Sequence, residues 1–323
     1  MKGQLRLDHV AATLRLDASE TVYLERQLLE VRSSVFEVRY PDLKGMAFVP
    51  PETQRINPGA THFTYSYNDH VGEAALASDL SRRGPRVDIK RTEATPIKLQ
   101  SMTTSYGYSL QEIRSAMMAG YDLDGGKARA ARDAIERKRD NILLVGDGTA
   151  TYFGLTGLFK LSGTHTYTVP NGAGGSPLWV NKTPDEIIRD MHGICNGIVT
   201  NSNELENPNT LILPLTSYTH VATQRMGDGA TDMILDFFLK TRRAMRPGFS
   251  VETSIKLETA GAGNGTRMVA YEKNPAKVAR LDPIEFEQLP PQVVGFETLI
   301  ECHARLGGCF AYFPKSISFG DGI

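Results

Sequence analysis

Apolar residues recur at every second position in one part of this chain and at helical spacing in others, and the switches between the two periods predict its elements. In residues 19–31, Val22, Leu24, Leu28, Leu29 and Val31 fall near a helical stripe with charges between them, predicting one helix in a polar leading arm. From residue 46 to 108 the period is two. Phe63, Tyr65 and Tyr67 alternate with Thr64, Ser66 and Asn68, and Ile97 and Leu99 alternate with Lys98 and Gln100, as in half-exposed strands. The polar stretch 68–87 between them, broken at Gly84-Pro85, predicts a projecting hairpin. Such a hairpin is rarely stable alone and should lie on something else.

Helical period follows. Ser109-Leu110-Gln111-Glu112 has capping-box spacing and starts a helix whose apolar face continues through Ile113 and Met117 until Gly125-Gly126 interrupts it. Residues 127–144 predict a longer helix with Ala131, Ala134, Ile135 and Ile142 inward and its Arg and Lys side chains outward. Thr183-Pro184-Asp185-Glu186 joins an N-cap, a proline at the first helical position and acids at the positive end of the dipole. Ile187, Ile188, Met191, Ile194 and Ile198 then form one stripe. Residues 210–215 read as a short buried strand, and 231–241, with Met233, Ile234, Phe237 and Phe238, as a further helix. Residues 268–271 and 293–300 read as more strands, and the Gly-rich links 170–176 and 260–265 as mobile surface loops. The total is a mixed α+β chain.

Composition narrows the function. With 323 residues the chain has room for about two domains, and 36 Lys+Arg against 37 Asp+Glu leave a formal charge of −1, without the basic excess of a dedicated nucleic-acid binder. Cys195, Cys302 and Cys309 are too few for a disulfide framework and read as small buried thiols. Met1-Lys2-Gly3-Gln4-Leu5-Arg6 has no apolar signal core, and no apolar run reaches the length of a membrane span, so a soluble chain outside the secretory route is expected.

Candidate chemistry does not converge. Cys302-His303 with Cys309 lacks a second paired ligand motif at finger spacing. Gly146-Asp147-Gly148 with Gly154 follows a helix and misplaces the third glycine of a dinucleotide loop. Gly125-Gly126-Lys127-Ala128 lacks the upstream glycine and the Ser/Thr of a P-loop. His192 lies near Asp190 and Cys195, but Cys195 belongs to the buried stripe, which favours a packed helix histidine over an activated thiol. Asp122 with Asp124, and Glu285 with Glu287, read as solvated surface. No catalytic residue, metal site or cofactor is assigned. Tyr65, Tyr67, Tyr106, Tyr108 and Tyr152 lack interleaved basic residues and read as packing or interface aromatics rather than base-stacking platforms. Arg82, Arg83 and Arg86 near Lys90 and Arg91 make a basic cluster, readable as a solvated loop face or as a contact to an acidic patch on another subunit.

Toward the carboxyl end, Gly265-Thr266-Arg267-Met268-Val269-Ala270-Tyr271 is followed by Leu289-Pro290-Pro291-Gln292, Leu306-Gly307-Gly308-Cys309, Pro314-Lys315-Ser316-Ile317 and Asp321-Gly322-Ile323. This order resembles the major capsid proteins of tailed bacteriophages, shell subunits with the fold named after phage Hong Kong 97. Gly154-Leu155-Thr156-Gly157-Leu158 after the Gly146-Asp147 turn is a second point of resemblance, shared with encapsulin shells. The resemblance implies an N-terminal arm (1–45), an extended loop (46–108), a peripheral domain with a long spine helix (109–160), an axial domain (161–280) and returning strands (281–323). It implies no enzyme activity and no cofactor. It implies assembly with copies of itself as pentamers and hexamers into an icosahedral shell around double-stranded DNA, with separate scaffold, portal and decoration proteins, in the host bacterial cytoplasm. Near-neutral charge suits such a container, because a strongly cationic wall would hold packaged phosphates. Phe63, Tyr65, Tyr67, Arg82, Arg83, Arg86 and Lys90 are the expected assembly contacts. An encapsulin-like compartment is the alternative within the fold, and a small-molecule enzyme the alternative outside it.

Overall fold

The computed structural model describes residues 41–76, 84–119, 126–147, 154–227, 229 and 231–323. The helix expected at 19–31, Arg82, Arg83, the Asp122/Asp124 pair, Gly148 and Tyr152 lie outside the described residues. The chain divides at Asp42, and all the elements below belong to the unit Leu43–Ile323. In chain order they are a short helix α1 (Gly45–Phe48) and strands β1 (His62–Phe63), β2 (Ser66–Val71), β3 (Asp88–Glu93), β4 (Ile97–Lys98) and β5 (Gln100–Ser109). Helices α2 (Leu110–Ala119) and α3 (Gly126–Leu144), strand β6 (His165–Tyr167), helix α4 (Pro184–Asn201) and strand β7 (Thr210–Leu213) follow. Next come α5 (Leu215–Thr223), α6 (Ile234–Met245), β8 (Ser250–Thr253), β9 (Arg267–Tyr271) and β10 (Val278–Arg280). The chain ends with β11 (Ile284–Gln288), β12 (Gln292–Val294), β13 (Glu297–Leu306), β14 (Cys309–Ala311) and β15 (Ile317–Asp321).

Two sheets carry the unit. In the first, β13 runs antiparallel to β5 from Glu297↔Ser109 to Leu306↔Gln100, while β11 and β12 pair with its other edge. Helix α3 lies on this sheet through Ala131 and Ile135, which meet Cys302 and Ala304. The second sheet has the order β6-β15-β9-β7-β8, with β15–β6 and β7–β8 parallel and the inner pairs antiparallel. Both of its faces are covered, so alternation along its strands separates two cores instead of core from solvent. Leu211, Leu213, Met268 and Ala270 pack with Ile187, Met191, Ile194 and Ile198 of α4. Ile212, Val269, Tyr271 and Phe319 pack on the opposite side with Phe48, Val49, Leu144 and Leu158.

The capping box expected at Ser109 forms, and the N-cap at Thr183 is a second one. The Ser109 N–H donates to Glu112 Oε2 at 2.9 Å and the Glu112 N–H to Ser109 Oγ at 3.2 Å, and Thr183 with Glu186 makes the same reciprocal pair at the start of α4. The Gly-rich links are exposed over most of their length, although Ala260 is buried.

Several inward and outward assignments differ. Ala116, not Met117, is the buried residue of α2, and Met117 is 80% exposed. Ala134 faces solvent, and Phe237 is largely exposed whereas Phe238 is buried. The helix expected over 231–241 is α6, because Met233 is drawn into a β-bridge with Arg225 and helical geometry begins only at Ile234. Arg139, expected outward, is buried and donates from Nη2 to Asp282 Oδ2 at 2.7 Å. The next residue, Asp140, is also buried, accepts from the Gly45 N–H at 2.6 Å and pairs with Lys256. These ion pairs and the Gly45 hydrogen bond fasten the carboxyl half of α3 to the chain on either side of it.

Candidate assembly interface

The projecting hairpin forms an arm, distinct from the N-terminal arm: a two-stranded ribbon, β2 paired with β3 from Ser66↔Glu93 to Val71↔Asp88. Its strands extend further than the alternation indicated. Asn68–Val71, expected in the connection, are part of β2, and the connection is residues 72–87. Every residue of β2 is exposed, and all of β3 except Thr92. Tyr67, Val71, Val87 and Ile89 are exposed large apolar side chains. Among the described residues the ribbon has two open edges and no covered face, and so little to hold it apart from its own ladder.

The base of the arm is anchored. Phe63 pairs with Ile97 in β1–β4, after which residues 64 and 65 oppose residues 94–96 and the ladder slips by one. Pro96, which has no N–H, sits at this break. The Ala94 N–H donates to the Tyr65 carbonyl at 2.8 Å and the Thr64 hydroxyl to the Ala94 carbonyl at 3.0 Å, bridging it. Beneath lies an aromatic cluster: Phe63 and Phe310 rings stand 5.4 Å apart, Tyr65 and Tyr312 4.7 Å, Phe310 and Tyr312 4.8 Å. The Tyr65 hydroxyl donates to the Ala311 carbonyl at 3.2 Å and the Tyr312 hydroxyl to Glu52 Oε2 at 2.7 Å. Burial, with the neighbouring Tyr67 phenol, pushes the Tyr65 pKa up, so Tyr65 stays a neutral donor.

The expected contact residues thus divide. Phe63 and Tyr65 are half-buried against Phe310 and Tyr312 of their own chain, and Tyr67, 52% exposed, stands apart from that cluster. Arg86 and Lys90 are exposed, with Lys90 opposite Asp69 in the ladder. Sequence reasoning missed Phe310, Tyr312 and Glu52 as the seat of the arm. The aromatic alternation Phe310-Ala311-Tyr312 was the available signal.

The rejected chemistry yields no activated group at His192 and Cys195. His192 packs on Phe238 with ring centres 4.9 Å apart, and burial together with the Arg242 guanidinium lowers its pKa to about 4. The Cys195 thiol is wholly buried and pushed up to about 11. A neutral imidazole beside a protonated thiol is not an activated nucleophile. Among the described residues no group of three or more His, Cys, Asp or Glu is placed to hold a metal.

The sequence profile of the major capsid proteins matches residues 72–323, from the connection of the arm to the last strand. The chain belongs to the major capsid protein family. Solved structures share its fold. The capsid of Myoviridae phage XM1 superposes with a TM-score of 0.76 at 16% identity, covering 92% of this chain and 98% of that one. Mycobacterium phage Adephagia gives 0.59 at 11%, covering 95% and 97%, and the virus-like particle from Pyrococcus furiosus gives 0.51 at 14%, covering 85% and 91%. A comparison with curated protein sequences found no match. The fold is that of tailed-phage capsid proteins, and this capsid protein is structural and not an enzyme: it self-associates in the shell of a virion.

Proposed function

We propose that this capsid protein assembles as pentamers and hexamers into a closed icosahedral shell around the double-stranded DNA of a tailed phage. The supporting observation is the match over residues 72–323 together with a ribbon that has no covering partner among the described residues of its own chain. The arm acts as the extended loop lying on an adjacent subunit, α3 as the spine helix, and the two sheets as the peripheral and axial domains. Tyr67, Arg86 and Lys90 make the contact directly, with Arg82 and Arg83 beside them in sequence, and Phe63 and Tyr65 fix the angle at which the ribbon leaves the body. A separate scaffold, a portal and decoration proteins complete the particle in the host cytoplasm, and packaged DNA is touched without sequence preference. Negative-stain microscopy and sedimentation of the purified protein test this reading. Hollow shells are expected, and a chain that stays monomeric at every concentration, salt and scaffold supplement would refute it. The resemblance of Gly154-Leu155-Thr156-Gly157-Leu158 to encapsulin shells keeps a compartment for protein cargo as the second reading. Nucleic acid inside the particles supports the first and a co-purifying protein the second.

A further inference from the structure

A groove of 1210 Å³ opens between the base of the arm and the turn after α4. The arm contributes Tyr67, Asp69 and Glu93, and the body contributes Glu52, Leu205, Phe313 and Lys315. Two properties of this lining are unusual for a surface with no partner. Leu205 is 80% exposed and Phe313 54% on the body side, and Tyr67 is 52% exposed on the arm side, so each side of the groove carries a large apolar group facing water. Leu205 follows Asn203 and Glu204, two consecutive non-glycine residues in left-handed backbone with φ of 52° and 66°. The second property is charge. Glu52 and Glu93 stand against one ammonium, Lys315, while Asp69 has Lys90 opposite it in its own ladder and the Glu206 carboxylate in the same lining is already held by Lys277.

A complementary occupant carries apolar side chains interleaved with cations. The returning side of the arm does so: in Arg86-Val87-Asp88-Ile89-Lys90-Arg91, Val87 is 69% and Ile89 58% exposed, and Arg86 and Lys90 are exposed. The chain cannot seat the apolar part of this segment in its own groove. Asp88 and Ile89 are fixed opposite Val71 and His70, outside the lining, and Asp88 lies five residues along the strand from Glu93, roughly 17 Å at the rise of an extended chain, while Lys90 stands opposite the lining residue Asp69. We propose that the groove receives residues 86–91 of the arm from a second copy of this chain. This rests on the reading of the arm as an assembly contact and adds where on the neighbour it lands.

Cysteine pairing tests the seat directly. Cys195, Cys302 and Cys309 are buried, so they do not compete with introduced thiols. Particles carrying both Leu205→Cys and Ile89→Cys, mildly oxidised, should run as a ladder of covalent multimers on a non-reducing gel, and either single variant as monomer. Monomer alone from normally assembled double-variant particles overturns the assignment. Charge reversal gives a second measurement. Glu93→Lys and Lys90→Glu should each cut the yield of shells at least tenfold, and the two together should restore it to within twofold. Loss in both without restoration overturns the pairing. Normal assembly of the reversals, in a protein whose shortened arm cannot assemble, overturns the groove and leaves the arm reading standing. Normal assembly with the shortened arm removes both. Should a reversal variant fail to fold, the cysteine pair decides alone.

Discussion

Asp282 lies between two buried guanidiniums, accepting from Arg139 Nη2 at 2.7 Å and from Arg280 Nε at 2.6 Å, while Arg280 also donates to the Met46 and Val49 carbonyls. Removing the carboxylate leaves both cations in a low-dielectric site, so Asp282→Ala should lose about 3–5 kcal/mol in urea unfolding. A loss below about 1 kcal/mol would mean that the arginines reach water once released. His192 gives a pH signature. Its folded pKa of about 4 lies below the ordinary value of 6.5, so between those values the unfolded chain binds a proton that the native chain does not. Stability therefore falls as pH drops from 6.5 toward 4, and His192→Gln should flatten that part of the profile. An unchanged slope would place the acid sensitivity elsewhere. The packing of His192 was legible in the sequence, but its Arg242 neighbour and the Asp282 site were not. A charged residue in a helix is ordinarily solvated, and Arg139 finds its acid 143 positions away, beyond the reach of any local pattern.

Elements were legible where their cause is local. Capping boxes depend on residues three apart; the one expected from spacing at Ser109 is formed, and the N-cap expected at Thr183 proves to be a second box with Glu186. The stripe of α4 was readable because one face meets a sheet along its length, whereas α2 has a buried alanine and exposed methionines that inverted a reading made from size alone. The arm was legible as a hairpin but not in its limits. Ser66–Val71 and Asp88–Glu93 form a regular ladder without covered faces, and so lack the alternation by which strands are recognised. Tyr67 and Thr92 stand directly opposite each other, so a short Gly-Ser turn joining them excises the ribbon and keeps the aromatic base. That variant should keep its helical circular dichroism and a cooperative transition while shells become rare or fragile in sedimentation. Normal shells would make the arm dispensable. Failure to fold would mean that the ribbon supports the body.

At the scale of the whole molecule, division into peripheral and axial regions, read from the family resemblance, meets a chain that crosses between them repeatedly. Strand β13 lies in the first sheet, β14 pairs with β10, and β15 is central in the second, all within residues 297–321. Helix α3 packs Ile135 on the first sheet and ends with Leu144 in the core below the second. Periodicity could not show this, because it registers which face of an element is covered and not by what. Two regions sharing a helix and a continuous run of strands cannot exchange one for solvent without exposing apolar surface in the other, which couples their unfolding. Trp179 is the only tryptophan of the chain and is buried in the core of the second sheet, so its fluorescence reports that region, whereas far-ultraviolet circular dichroism also follows α3. In the unassembled protein the two urea transitions should coincide in midpoint and slope. Helical signal lost at lower urea than the fluorescence change would show that α3 and the first sheet open first, and the unit would then be two independently stable regions.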